Sequence, residues 1–209
     1  MPKRPVRLTA RLWNATPPGR MNCGRFAITL PLLLAVAAAG PVYRYQLDGA
    51  GSSVSARVSY LGLGSKTARF PAMRGSIRLS PDRLDAIDLD VELDARAMTA
   101  GSKTDTAYLK SKAFFDVTNH PTVRFSGRRM VMTGPLTARV DGQITARGVT
   151  RSAVLAVTFR DLPAKATGRE PIQLTATTAI NRKDFGMTSY SVIVGKKVAI
   201  TIQARLVPG

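Results

Sequence analysis

Ile87-Asp88-Leu89-Asp90-Val91-Glu92-Leu93-Asp94 alternates apolar and acidic residues without a slip. On an extended strand successive side chains point to opposite faces, so the four apolar residues share one face and the four carboxylates the other. A helical period would mix the two sets. The stretch therefore predicts a half-buried antiparallel strand, and its carboxylates read as a solvated face, not as an acid–base pair.

The same rhythm continues outward along the chain. Val54, Ala56, Val58 and Tyr60 alternate with Ser53, Ser55, Arg57 and Ser59. Val140, Gly142, Ile144 and Ala146 alternate with Asp141, Gln143, Thr145 and Arg147. Residues 153–159 are rich in β-formers. Ile172, Leu174, Ala176, Thr178 and Ile180 make another stripe, and Val198, Ile200, Ile202, Ala204 and Leu206 the last. Turn-forming residues separate the runs, at Gly62–Gly64, Ser80-Pro81-Asp82, Gly134-Pro135 and Gly148 among others. Many short strands at this spacing predict an all-β sandwich or barrel. One segment departs: residues 104–111 lack β-branched residues after Thr106 and predict a short helical crossover, followed by the aromatic pair Phe114-Phe115.

Composition narrows the chemistry. The 209 residues hold 31 Lys+Arg against 13 Asp+Glu, one His and one Cys. A single Cys makes neither an internal disulfide nor a zinc cage, and the lone His120 lacks a positioned catalytic partner. Gly62-x-Gly64 is too short for a phosphate cradle. Asn181-Arg182-x-Asp184 reads as a turn with a local ion pair. No constellation points to an enzyme.

Residues 1–39 read as a targeting segment. Six cations and no acid precede an apolar run from Phe26 to Ala39 that ends in Ala37-Ala38-Ala39. A basic start, a short apolar run and small residues describe a secretory signal peptide, and the run is shorter than the roughly 20 residues of a membrane-spanning helix. Met21 is an alternative start within it. Cleavage after Ala39 removes Cys23 and leaves 25 cations against 13 acids, a net +12 on residues 40–209. That charge suits an anionic membrane surface, with Arg124, Arg128, Arg129, Arg182, Lys183, Lys196 and Lys197 as the cations in question, or simply a solvated basic surface. Nucleic acid is not expected, because groove-reading motifs are missing.

Four ordered blocks carry a family resemblance. They are Tyr45-x-Leu47-Asp48-x-x-x-Ser52-x-Val54, with Tyr60-Leu61-Gly62 and Phe70 after it; Thr104-Asp105-x-x-Tyr108-Leu109-x-Ser111-x-x-Phe114-Phe115-Asp116-Val117-x-x-His120-Pro121-x-Val123-x-Phe125; Gly142-x-Ile144-Thr145-x-Arg147-Gly148-Val149-Thr150-Arg151; and Asn181-Arg182-x-Asp184-Phe185-Gly186-Met187 with Val194-Gly195. Over residues 43–206 the chain resembles the YceI-like family of secreted bacterial lipocalin-like proteins. The resemblance implies an eight-stranded antiparallel barrel whose apolar channel holds a polyisoprenoid or isoprenoid-quinone chain. The chain also departs from the family pattern. Ser52–Ser53 and Tyr60 stand where many members carry His, and residues 103–109 replace an Arg-Asp-x-His-Leu block. Lys196-Lys197 stands where an acid is usual.

Alternation by itself leaves open whether the interior is packed or hollow. Ala56, Gly142, Ala146, Ala176 and Ala204 on the inward stripes would leave volume, whereas an ordinary aromatic core would fill it. Taken with the resemblance, the sequence predicts a non-enzymatic exported carrier or store, periplasmic or secreted, as monomer or homodimer. A bound isoprenoid lipid is the only ligand expected, without a further cofactor or metal. Tyr60, Phe70, Leu109, Phe114, Phe115, Phe125, Phe185 and Met187 are the expected lining residues. The rival reading is a basic interaction module with a packed core that binds an anionic partner.

Overall fold

A computed structural model describes residues 40–209. The expected export segment 1–39, with Met21 and Cys23, lies outside the described residues. The strands are β1 (Tyr43–Leu47), β2 (Ser53–Tyr60), β3 (Gly64–Phe70), β4 (Met73–Leu79), β5 (Ala86–Asp94), β6 (Thr122–Met132), β7 (Thr137–Ala146), β8 (Val149–Phe159), β9 (Ile172–Asn181) and β10 (Val194–Pro208), with helix α1 (Lys103–Lys110) between β5 and β6.

Ten segments make eight staves. β1 and β2 are one stave interrupted at residues 48–52, and β3 and β4 are one stave bent at Pro71-Ala72. β2 pairs with β3 and β1 with β4, so the two broken staves lie side by side. From there each strand pairs antiparallel with the next, and β10 closes the ring on β2 and β1. The result is an up-and-down barrel of eight antiparallel staves, which leaves almost no free sheet edge. The break in the first stave is built locally. The Asp48 carboxylate accepts from the backbone N–H groups of Ala50 and Gly51 and pairs with Arg205 at 2.7 Å, while Ser52 Oγ accepts from the Arg205 N–H. The tight turn between β7 and β8 uses left-handed backbone at both Arg147 (φ 50°) and Gly148 (φ 72°), which matches the twist of the flanking strands.

Strand β5 carries the alternation into space. Ile87, Leu89, Val91 and Leu93 face the interior. The carboxylates face out. Three meet arginines of the neighbouring strands, Arg78 and Arg128 at Asp88, Arg124 at Asp90 and Arg74 at Glu92, and Asp94 pairs with Arg96 of the 3₁₀ turn that follows β5. Arg124 and Arg128 are therefore engaged on the barrel wall. Helix α1 begins one residue before its expected start. Ser102 caps it, accepting from the Asp105 N–H at 3.0 Å.

One end of the barrel is sealed. Tyr45, Leu79 and Ile172 are buried there. The Tyr45 hydroxyl accepts from the Gly168 N–H at 3.2 Å, and burial raises its pKa. At the other end β3 makes an isolated backbone bridge to the 95–121 segment, between Arg69 and Thr99, and α1 occupies the gap in the wall.

Candidate functional site

The barrel interior is a tunnel of about 510 Å³ lined almost wholly by apolar side chains from every stave. The packed-core alternative does not describe this molecule. Volume exists because the inward stripes carry small residues: Ala56, Ala146, Ala176 and Ala204 all line it. Lining positions on β10 run from Val194 to Leu206. At about 3.3 Å per residue and the usual barrel tilt, that gives a depth of roughly 30 Å.

Gly142 acts differently from the alanines on the same face. A Cβ there would lie 2.5 Å from Cζ of the Phe125 ring, and one at Gly127 would lie 3.2 Å from the same ring. The two glycines let the ring lie against the wall, where a side chain in its path would push it toward the lumen.

The open end is bounded by the turn between β2 and β3, by α1 with the knot that follows it, and by the 186–193 loop. The knot is made by backbone bonds that fold residues 111–120 back on the helix, among them Phe115 N–H to the Leu109 carbonyl at 3.0 Å and Val117 N–H to the Lys110 carbonyl at 3.1 Å. It places Phe114 and Phe115 at the tunnel wall, with Phe115 edge-on to Phe70 at 5.9 Å between centroids. Tyr190 stacks on Phe114 at 5.9 Å and meets Tyr108 of α1 edge-on at 6.0 Å. These three rings join the helix to the 186–193 loop across the mouth.

Two arginines fasten the same parts. Arg147 donates to the Lys112 carbonyl at 2.9 Å and to that of Gly186. Arg182 is only 3% exposed and donates to the carbonyls of Gly195, Val194 and Met187. The turn expected at Asn181–Asp184 is present: Asn181 Nδ2 donates to Asp184 Oδ1 at 2.9 Å. The expected local ion pair is not. Arg182 turns inward, away from Asp184, because three carbonyls converge on it there, and burial lowers its pKa.

Lys66 and Asp105 form an ion pair at 2.8 Å that ties β3 to α1 at the rim. The shared hydrogen bond lowers the pKa of Asp105 and raises that of Lys66. Lys66 Nζ also lies 5.1 Å from the centre of the Tyr60 ring. The charged groups Lys66, Asp105 and Arg182 thus stand near the mouth, while the lining along the staves is mostly apolar, with Ser52, Thr67 and Thr178 among its polar members.

Tyr60, Phe70, Leu109, Phe114, Phe115, Phe125 and Met187 all line the tunnel. Phe185 does not: it is 2% exposed and packs outside the lumen with Ile144, Ala146 and Met187. It closes a one-turn 3₁₀ segment, and Gly186 in left-handed backbone redirects the chain so that Met187, not Phe185, reaches the lumen. Sequence reading overlooked Tyr108, Tyr190 and the Lys66–Asp105 pair. Tyr108 adjoins Leu109, and a wider reading of that block would have included it.

The family described as the YceI-like domain matches residues 45–206. A UPF0312 protein of Pseudomonas putida is 27% identical over 161 residues, 77% of this chain and 84% of that protein. Among solved structures, Burkholderia cenocepacia BcnA superposes with a TM-score of 0.67 at 19% identity, covering 76% of this chain and 98% of that one. A polyisoprenoid binding domain from Saccharophagus degradans superposes with a TM-score of 0.60 at 12% identity, covering 79% and 98%.

Proposed function

The chain belongs to the YceI-like domain family, and from that premise and the tunnel we propose that it is an exported carrier or store for one polyisoprenoid or isoprenoid-quinone chain, working without catalysis in the periplasm or outside the cell. The observation that carries this reading is the deep apolar tunnel of about 510 Å³, closed beneath by Tyr45 and open beside α1. Its size falls in the range of about 300–1,000 Å³ common for ligand sites. The solved Saccharophagus degradans polyisoprenoid binding domain shares the fold and supports the same ligand class.

The tail lies in the depth and the head group at the mouth, among Tyr60, Lys66, Asp105 and Arg182. Seven of the expected residues, Tyr60, Phe70, Leu109, Phe114, Phe115, Phe125 and Met187, make contact with it. Each methylene removed from water contributes roughly 0.8 kcal/mol, so tens of carbons nominally exceed the practical ceiling of about 18–21 kcal/mol for any complex. Ordering the chain consumes the excess. Affinity then follows tail length and shape more than hydrogen bonding.

Organic extraction of the purified protein followed by mass spectrometry tests this. A stoichiometric prenyl lipid is the expected result. Protein that stays free of lipid even after incubation with bacterial membranes would overturn it.

A further inference from the structure

The two ends of the barrel differ in charge and in surface. The segments that form the mouth end, residues 61–66, 95–121, 147–148 and 182–197, carry ten Lys or Arg against three Asp. The segments at the sealed end, residues 40–44, 80–85, 133–136 and 160–171, carry five against four. Nearly all of the excess charge carried by the loops therefore sits around the tunnel opening. Lys103, Lys112, Lys183, Lys196 and Lys197 are exposed there, and none belongs to an ion pair among the described residues.

Two apolar tips project from the same end. Leu63 and Val192 are each 99% exposed, and Leu61 is 58% exposed. Leu63 sits in the turn between β2 and β3, and Val192 in the loop before β10. A backbone bond from the Leu61 N–H to the Ile193 carbonyl at 2.8 Å joins the two loops. Neither Leu63 nor Val192 lines the tunnel, so the lumen does not account for them.

We propose that the mouth end is a docking face for an anionic lipid bilayer, with Leu63 and Val192 entering the interfacial layer and the surrounding lysines held at the head groups. The charge excess selects the partner: a protein groove would satisfy two apolar tips, but a broad basic skirt around them matches a continuous negative surface. Docking this way points the opening, with Tyr108 and Tyr190 at its edge, at the layer that holds the ligand. The inference rests on the carrier reading for its purpose and on the two tips and the lysines for its geometry.

Flotation of the purified protein with phosphatidylcholine vesicles, with and without phosphatidylglycerol, tests it. The expected result is binding to the phosphatidylglycerol vesicles that salt weakens. Leu63→Ser with Val192→Ser lowers that binding by about tenfold. Lys196→Glu with Lys197→Glu lowers it by about tenfold or more. Val42→Ser, an exposed change at the sealed end, leaves it unaltered. Absence of binding, equal binding to both vesicle types, or binding indifferent to the mouth substitutions would overturn the proposal. Lipid extraction of the same preparations separates this from the carrier reading: lipid-loaded protein that does not float defeats only the docking face, and lipid-free protein that floats defeats only the carrier.

Discussion

Arg182 lies over the ring of Phe114, its guanidinium carbon 5.8 Å from the ring centre. Tyr190 stacks on that ring, and the guanidinium is tied to three carbonyls of residues 187–195. One buried cation thereby fixes the loop that forms one side of the mouth. Arg182→Met should leave three carbonyls unsatisfied and lower stability by about 3 kcal/mol in denaturant unfolding. Arg182→Lys should recover less than half, since one ammonium cannot reproduce the planar fork. A loss below about 1 kcal/mol for Arg182→Met would show that the loop is held by its other contacts.

The rim pair responds to pH at its extremes only. Asp105 has its pKa lowered, first by the hydrogen bond from Lys66, so its contribution is present above the ordinary carboxylate pKa and is lost as pH falls through the lowered value. Lys66 has its pKa raised by the same bond, so its contribution is present below the ordinary lysine pKa and is lost as pH rises through the raised value. Amide exchange in α1, corrected for its intrinsic pH dependence, should therefore be constant from about pH 5 to 9 and accelerate below about pH 4. Asp105→Asn should show the acid rate at neutral pH. A midpoint near neutrality would mean that another group holds the helix.

Phe125 and Gly142 are coupled across one pair of strands. Gly142→Ala places a Cβ against the Phe125 ring and the Ser126 carbonyl. It should cost about 1–3 kcal/mol and reduce the lipid recovered by extraction, because the displaced ring enters the lumen. Phe125→Leu should cost less in the Gly142→Ala background than alone, and a double-mutant cycle measures the difference. Additive effects would mean that the ring has room elsewhere.

Much of this architecture was legible in the residue order. Period two identified which side chains of β2, β5, β9 and β10 face inward, because a half-buried strand leaves no other arrangement. The eight-stave ring came from the family blocks, since alternation does not count staves or distinguish a filled barrel from a hollow one. The lumen depends on the sizes of inward residues that are far apart in sequence, such as Ala56 and Ala204. Phe185 and Arg182 exchanged expected places for one reason: a single turn of 3₁₀ helix followed by a left-handed glycine reverses which side chains point in, and aromatic or charged character does not encode that. Tyr190 was invisible because its partners, Tyr108 and Phe114, lie more than 70 residues away.

Filling the lumen without disturbing the wall separates capacity from stability. Ala204 lies on the inward face of β10 opposite Leu174 and lines the tunnel. Ala204→Phe projects a ring into space that no side chain occupies, so it need not displace the wall as an overpacked core residue would. The ring should gain contacts there, and melting temperature in the lipid-free protein should hold or rise by a few degrees, on the order of 1 kcal/mol. The same ring should obstruct an elongated tail and cut recovered lipid by about tenfold. Ala204→Ser adds little volume and should retain the lipid, which controls for mutation at this site. Full lipid loading in Ala204→Phe would show that the tail stops above β10 position 204 and that only the outer part of the tunnel is used.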